Sequence, residues 1–377
     1  MPSTLVKAVC KCGLNTFQVV FDTTKIPRET SMCHCNSCRH LTGQLAYQCA
    51  MLEGAPLTVE STLESQKPAD LSNLKAYKTS NESILTRYFC KTCGAHIIGS
   101  ARIGSADYWA VSTGALERVE GIVKAGSHLW VGDTLDGGLA DHLRVFDGVE
   151  VTRHAAGSGS PTLDAGWKAE SIAKGTQSGT KDYLAAYCHC KAVSLHLTRV
   201  DEELTKNPAN WWAVAKNADD PTSLPKFMSG HCLCNSCRLS SGTTINSWVI
   251  LPAVNVLNAQ TGQPVTYAPG SSGRIPGLQR YESSPQAFRE ACGTCGATVF
   301  LWYTDPKRGH LPPAVNGEPV VVCLSAGLLD QEDGGARVEG WCHWHDEVIH
   351  PEDAIDKAIL EALKKGIKSS AASTKAE

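Results

Sequence analysis

The segment Cys33-His34-Cys35-Asn36-Ser37-Cys38-Arg39 sets three thiols within six residues. Cys232-Leu233-Cys234-Asn235-Ser236-Cys237-Arg238 does so again. Sulfurs this close can cap one face of a zinc ion without help from distant parts of the chain. If no fourth side chain arrives, one coordination position is left for water or a substrate atom, which is how catalytic zinc is held. A distant His would close the sphere, as would Cys49 in the first copy or Cys323 in the second. Spacing alone leaves both arrangements open. Cys49, Cys323 and Cys342 have no counterpart in the other copy, which is how ordinary buried thiols distribute.

A second kind of set is dispersed. Cys10 and Cys12 form a C-x-C pair, and Cys90 and Cys93 a later C-x-x-C-G. Cys188 and Cys190, with Cys292 and Cys295, repeat that pattern. Two thiolate pairs from separate strands complete a tetrahedron around Zn²⁺. The glycines after Cys93 and Cys295 suit tight turns in which backbone N–H groups approach the sulfurs. Such a site is closed, so its expected role is to clamp a small sheet.

The elements that must position these sulfurs recur in order. The offset between copies is 178 at Cys10/Cys188, 199 across the triplets, 202 at Cys90/Cys292 and 213 at Ser112/Ser325. An offset that only grows preserves element order and marks insertions, around Asn207–Phe227 and around Asp305–Pro319. Runs such as AYQCAMLE, ILTRYFC, YWAVSTGAL, NSWVILP, ATVFLWY and PVVVCLS are rich in β-branched and aromatic residues and read as strands. Short helices are expected near Cys38 and Cys237.

The predicted architecture is mainly β, with two tandem zinc-bearing domains at residues 1–153 and 183–350. A Gly/Ser/Thr-rich linker, 154–182, joins them. Pro351, acids in a first turn, and Ile355, Ile359, Leu360 and Leu363 at helical spacing predict a short C-terminal helix over 351–368. It is expected to pack on the second domain, with a flexible tail at 369–377.

Composition narrows the function classes. The 377 residues are 42% hydrophobic and 19% charged, with a formal net charge of −3. No basic stripe forecasts nucleic-acid binding. Fourteen thiolates on four zinc ions would take the chain to about −9, which works further against it. No apolar run reaches the roughly 18 residues of a membrane helix. Seventeen cysteines without a signal-peptide pattern favour metal ligation over a secreted disulfide framework, so a cytoplasmic setting is expected.

The order C-x-C, C-H-C-x-x-C-R, C-x-x-C-G, then V-S-x-G-x-L resembles the glutathione-dependent formaldehyde-activating enzyme family, also called the centromere protein V family. The resemblance covers both copies. It implies an Mss4-like β fold with a four-cysteine structural zinc and a three-cysteine second zinc in each domain. It also implies carbon–sulfur lyase chemistry, joining glutathione as co-substrate to formaldehyde. The chain departs from a single-domain member in being a tandem, in having Leu233 where the first copy has His34, and in carrying a Trp211-Trp212 insertion.

The expected function is therefore a zinc-dependent enzyme that forms or cleaves a thiol adduct of a small electrophile. Alternatives are a non-catalytic zinc-built binding module or a glutathione carrier. His34 and His231 flank the triplets and are candidate proton carriers, or they merely orient neighbouring loops. Arg39 and Arg238 follow the last triplet cysteine, where they would pair a substrate carboxylate or offset thiolate charge. His128, His343 and His345 follow the last shared strand, within reach of the zinc face or the surface. Trp211 and Trp212 are candidate pocket walls, while Trp248, in a strand-like run, reads as core.

Overall fold

A computed structural model describes residues 2–173, 182–220, 222–305 and 311–374. The chain is mainly β, as its strand-like runs predict. In spatial order, one eight-stranded sheet runs Thr152–Arg153, Val123–Leu129, Arg28–Cys33, Tyr47–Met51, Ala106–Ser112, His96–Ile103, Leu85–Cys90 and Leu74–Tyr77. The other runs Ala213–Val214, Lys226–Cys232, Asn246–Pro252, Val321–Ser325, Thr298–Tyr303, Ala287–Cys292 and Leu278–Ser284, with Cys342–Trp344 parallel to Lys226–Cys232. Each copy also folds its C-x-C into a small antiparallel pairing, Ser3–Val9 with Thr16–Asp22 and Leu184–Tyr187 with Ser194–Leu197.

Each triplet ends one strand and opens a short helix, Asn36–Thr42 or Asn235–Ser241. The middle cysteine is the N-cap. Cys35 Sγ accepts the Cys38 N–H at 3.3 Å, and Cys234 Sγ accepts the Cys237 N–H at 3.4 Å. Sulfur here does what a Ser or Asp oxygen does at most helix starts. Both helices stop at a left-handed glycine, Gly43 at φ 73° and Gly242 at φ 82°, each donating its N–H back to the triplet's arginine carbonyl.

Those glycines also carry the contact between the halves. Gly327 N–H donates to Gly43 O, and Gly114 N–H donates to Gly242 O. A Cβ on Gly43 would collide with the Thr298 carbonyl, and one on Gly242 with the His96 carbonyl. Lys11 N–H donates to Leu239 O at 2.9 Å, and His189 N–H donates to His40 O at 3.0 Å. Each of these contacts has its counterpart in the other direction, the pattern of a two-fold interface within one chain. The larger core cluster accordingly mixes Met32, Leu41, Leu45, Leu139 and Phe146 with Phe227, Trp248, Leu324 and Trp341.

The C-terminal segment departs from expectation. Pro351–Asp353 is an isolated 3₁₀ turn, and the helix proper is Lys357–Thr374, with Asp356 Oδ1 accepting the Ile359 N–H at 3.0 Å. It therefore starts later and runs further into the segment expected to be flexible; residues 375–377 lie outside the described residues. Its buried Ile359, Leu360, Leu363 and Ile367 belong to the mixed core. Gly366 lies directly on the His142 carbonyl, so the helix docks on the 138–146 segment of the first half rather than only on the second. Helical periodicity reveals an apolar face but not its receiver, which here is Leu139, Leu143 and Phe146. Part of the expected linker is also anchored: Trp130 N–H donates to Ala156 O, and Ala169 N–H to Leu135 O. Its residues 174–181 lie outside the described residues.

Candidate functional site

Four clusters of thiols form. Cys10, Cys12, Cys90 and Cys93 converge, as do Cys188, Cys190, Cys292 and Cys295, and each triplet closes on itself. Within each cluster all sulfurs lie within 4.8 Å of one another. Among the described residues no fourth His, Cys, Asp or Glu donor joins either triplet at that spacing. All seventeen cysteines are free thiols.

The donor sets fit zinc. Bonds of about 2.3 Å put tetrahedral sulfurs about 3.8 Å apart. The Cys10–Cys12 and Cys12–Cys90 sulfurs are 3.4 and 3.5 Å apart, and the Cys188–Cys190 and Cys190–Cys292 sulfurs 3.5 Å apart. Thr92 and Cys93 N–H groups donate to Cys90 Sγ at 3.3 and 3.4 Å, the knuckle geometry that favours a thiolate. Thiols packed so closely cannot all ionise without a cation among them. The Cys35 and Cys38 contacts drive the Cys33 thiol far up, and the Cys234 and Cys237 contacts do the same to Cys232.

The last cysteine of each triplet is the exception. Hydrogen bonds from Cys33 and Cys35, then the Arg87 guanidinium, hold Cys38 well below the ordinary thiol range. Cys232, Cys234 and Arg289 do the same for Cys237. Arg87 Nη2 lies 3.1 Å from Cys38 Sγ, and Arg289 Nη2 lies 3.4 Å from Cys237 Sγ. Both arginines are buried. Both stand three residues before the C-x-x-C, in R-Y-F-C and R-E-A-C. That repeat-shared spacing was the available sequence signal for them.

Arg39 and Arg238 sit elsewhere. Arg39 Nη2 donates to Asn36 Oδ1 at 2.9 Å and to Gln331 Oε1 of the other half at 2.7 Å. Arg238 Nη1 donates to the Gly114 carbonyl at 2.8 Å and to that of Leu116. Both guanidinium groups are buried between the halves, so these residues staple the interface instead of facing a ligand.

The histidines pair with one another. His34 Nε2 and His128 Nδ1 are 2.8 Å apart, and His128 Nε2 reaches Leu143 O. His231 Nε2 lies 2.9 Å from His142 Nδ1 of the first half, and its Nδ1 meets Ser247 Oγ. Burial takes His34 well below the ordinary histidine range and His231 down to about 3. His343 is exposed on its strand.

A cavity of about 640 Å³ opens on Cys232, Cys234 and Cys237. Trp248, Ile250, Leu301, Tyr303, Arg289 and Ile349 line it. Trp211 and His345 are also in its wall, whereas Trp212 is buried in the core. Lys11, which lies between two cysteines of the first half, lines it too. The first triplet receives the equivalent residue from the other half, His189, whose Nδ1 is 2.8 Å from Tyr77 Oη. Around Arg87 the packing differs, because the Tyr47 ring lies 3.9 Å from the guanidinium carbon, with Tyr47 Oη bonded to Ser112 Oγ at 2.8 Å. Asn246 takes the place of Tyr47 in the second sheet.

No helix among the described residues is long and apolar enough to cross a membrane. Comparison with family models matches residues 5–133 to one described as glutathione-dependent formaldehyde-activating enzyme. No curated protein and no solved structure matches the chain.

Proposed function

Because residues 5–133 match the family model described as glutathione-dependent formaldehyde-activating enzyme, we propose that the chain is a tandem, zinc-dependent enzyme of the carbon–sulfur lyase type. It forms or cleaves a thiol adduct of an aldehyde or another small electrophile. The observation that carries this reading is a triplet of sulfurs, backed by a buried arginine and open to a cavity, with no fourth side-chain donor among the described residues. Cys33, Cys35 and Cys38 would hold one zinc, Cys232, Cys234 and Cys237 another, and the four-cysteine sets two more. Zinc at a triplet supplies a centre that favours the ionised form of a thiol at neutral pH.

The protein's own groups do the rest. Arg289 offsets the charge of the triplet and fixes Cys237 by its hydrogen bond. Cys234 caps its helix, so two triplet sulfurs are locked to one rigid element. Trp248, Ile250, Leu301 and Ile349 give the electrophile an apolar wall beside the triplet. Seventeen free thiols suit a reducing, cytoplasmic setting. At the first triplet, the Tyr47 ring against Arg87 favours a second reading for that half, a structural or binding role without turnover.

The test uses the full chain loaded with zinc, mixed with glutathione and formaldehyde and followed by NMR for the S-hydroxymethyl signal. Approach to equilibrium should be faster than the uncatalysed reaction and return to the uncatalysed rate after chelation. Equal rates with and without protein, for formaldehyde and for longer aldehydes, would reject the enzyme reading.

A further inference from the structure

Lys11 stands between Cys10 and Cys12, the first pair of the first four-cysteine set. Its backbone N–H is fixed across the interface by Leu239 O. Its side chain lines the cavity over the second triplet, beside Arg289, Cys234 and Cys237. Among the described residues it has no carboxylate partner. Arg289 is already committed to Cys237, Ser236 and Ser283. The lining carboxylates, Glu347 and Asp353, are solvent-exposed and do not pair with Lys11. A cation in a cavity wall that no carboxylate pairs can take a substrate anion.

Three thiolates on a zinc ion leave a net −1, which Arg289 offsets. The rest of the wall is largely apolar, with Trp248, Ile250, Leu301 and Ile349. The volume lies within the range of sites that enclose small molecules. The reciprocal residue at the first triplet, His189, is engaged by Tyr77.

We propose that Lys11 of the first half is the anion-binding residue of the second half's site, which takes a thiol or thiol adduct bearing a carboxylate and an apolar body. The proposal rests on the reading of the triplet as a thiol site. The site is then composite: the second triplet holds the sulfur end, and the first half holds the carboxylate end. Lys11 acts by binding and orienting the substrate. No proton transfer is assigned to it.

The test is calorimetric titration of the zinc-loaded full chain with 2-benzyl-3-mercaptopropanoate and with its primary amide. The acid should bind at least about tenfold more tightly than the amide. Lys11→Met should remove that preference while leaving amide affinity, zinc content and melting temperature unchanged. Lys11→Arg should restore it. Ile349→Trp, at a partly exposed wall position, should weaken acid and amide alike. Equal affinity for acid and amide in the unsubstituted chain would overturn the proposal, as would a preference that survives Lys11→Met. The readout is binding, so it separates from turnover. A chain that makes adducts but ignores the carboxylate loses only this inference; a chain that prefers the acid but makes no adduct loses only the enzyme reading.

Discussion

The two triplets share a backbone and differ in what stands over them. Each is a strand end, a sulfur-capped helix start and a buried arginine on the last cysteine. In the first half the strand facing the arginine presents Tyr47 and Cys49. In the second it presents Asn246 and Trp248. The aromatic group has moved two residues along the same face of the strand. On the first side the ring stacks on the guanidinium. On the second side the aromatic becomes a wall of the cavity. A two-residue displacement in a strand thus separates a packed arginine from one beside open space, with the metal-binding frame unchanged.

The largest test of that contrast is at the triplets themselves. Cys237→Ser should cut adduct formation on the order of 100-fold or more, whereas Cys38→Ser should leave most of it. Rates on zinc-quantified protein decide the matter, and equal losses would erase the functional distinction between the halves. The interface should behave in the opposite, symmetric way. Gly43→Ala and Gly242→Ala each force a side chain into a left-handed turn against a carbonyl of the other half, so each should cost about 3 kcal/mol of stability. Chemical denaturation of the two variants should give matching losses.

Acid gives a smaller, graded test. Burial lowers His128 to about 4 and His96 and His231 to about 3. These rings are neutral when folded and take up protons when unfolded. Their contribution is therefore complete above pH 6.5 and is lost as pH falls from 6.5 towards those values. Each ring should account for about 1.4 kcal/mol per pH unit in that window. The His34–His128 pair lies within one half and the His231–His142 pair spans both, so His128→Asn and His142→Asn should flatten the melting-temperature profile to similar extents. The smallest effect should come from Tyr47→Phe, which removes the bond to Ser112 and should cost about 1 kcal/mol in thermal unfolding, with no change in turnover.

The thiol clusters were legible because C-x-C and C-x-x-C fix sulfur spacing through local backbone alone. The strands were legible from β-branched runs, and the recurrence of the cysteine sets from their ordered offsets. What escaped was whatever depends on contact between distant parts of the chain, between the halves above all. Arg39 and Arg238 looked like ligand residues beside the cysteines, yet a helix position one residue on from Cys38 points towards the neighbouring half, where Gln331 waits. Arg87 and Arg289 are far from the triplets in sequence and reach them only because the sheet folds back. The receiver of the C-terminal helix was hidden for the same reason. Lys11 and His189 were visible only as spacers inside C-x-C, and their meaning depends on a partner strand that spacing cannot reveal.

The reciprocal glycine contacts carry a consequence for divergence. Two identical subunits meeting on such an axis must alter both pockets with every substitution, since one gene writes both. Joining the copies end to end frees each pocket to vary while the shared seam stays fixed. One half can then specialise as scaffold and lend a side chain across the seam, and the other can adapt its chamber to a new guest without losing its support.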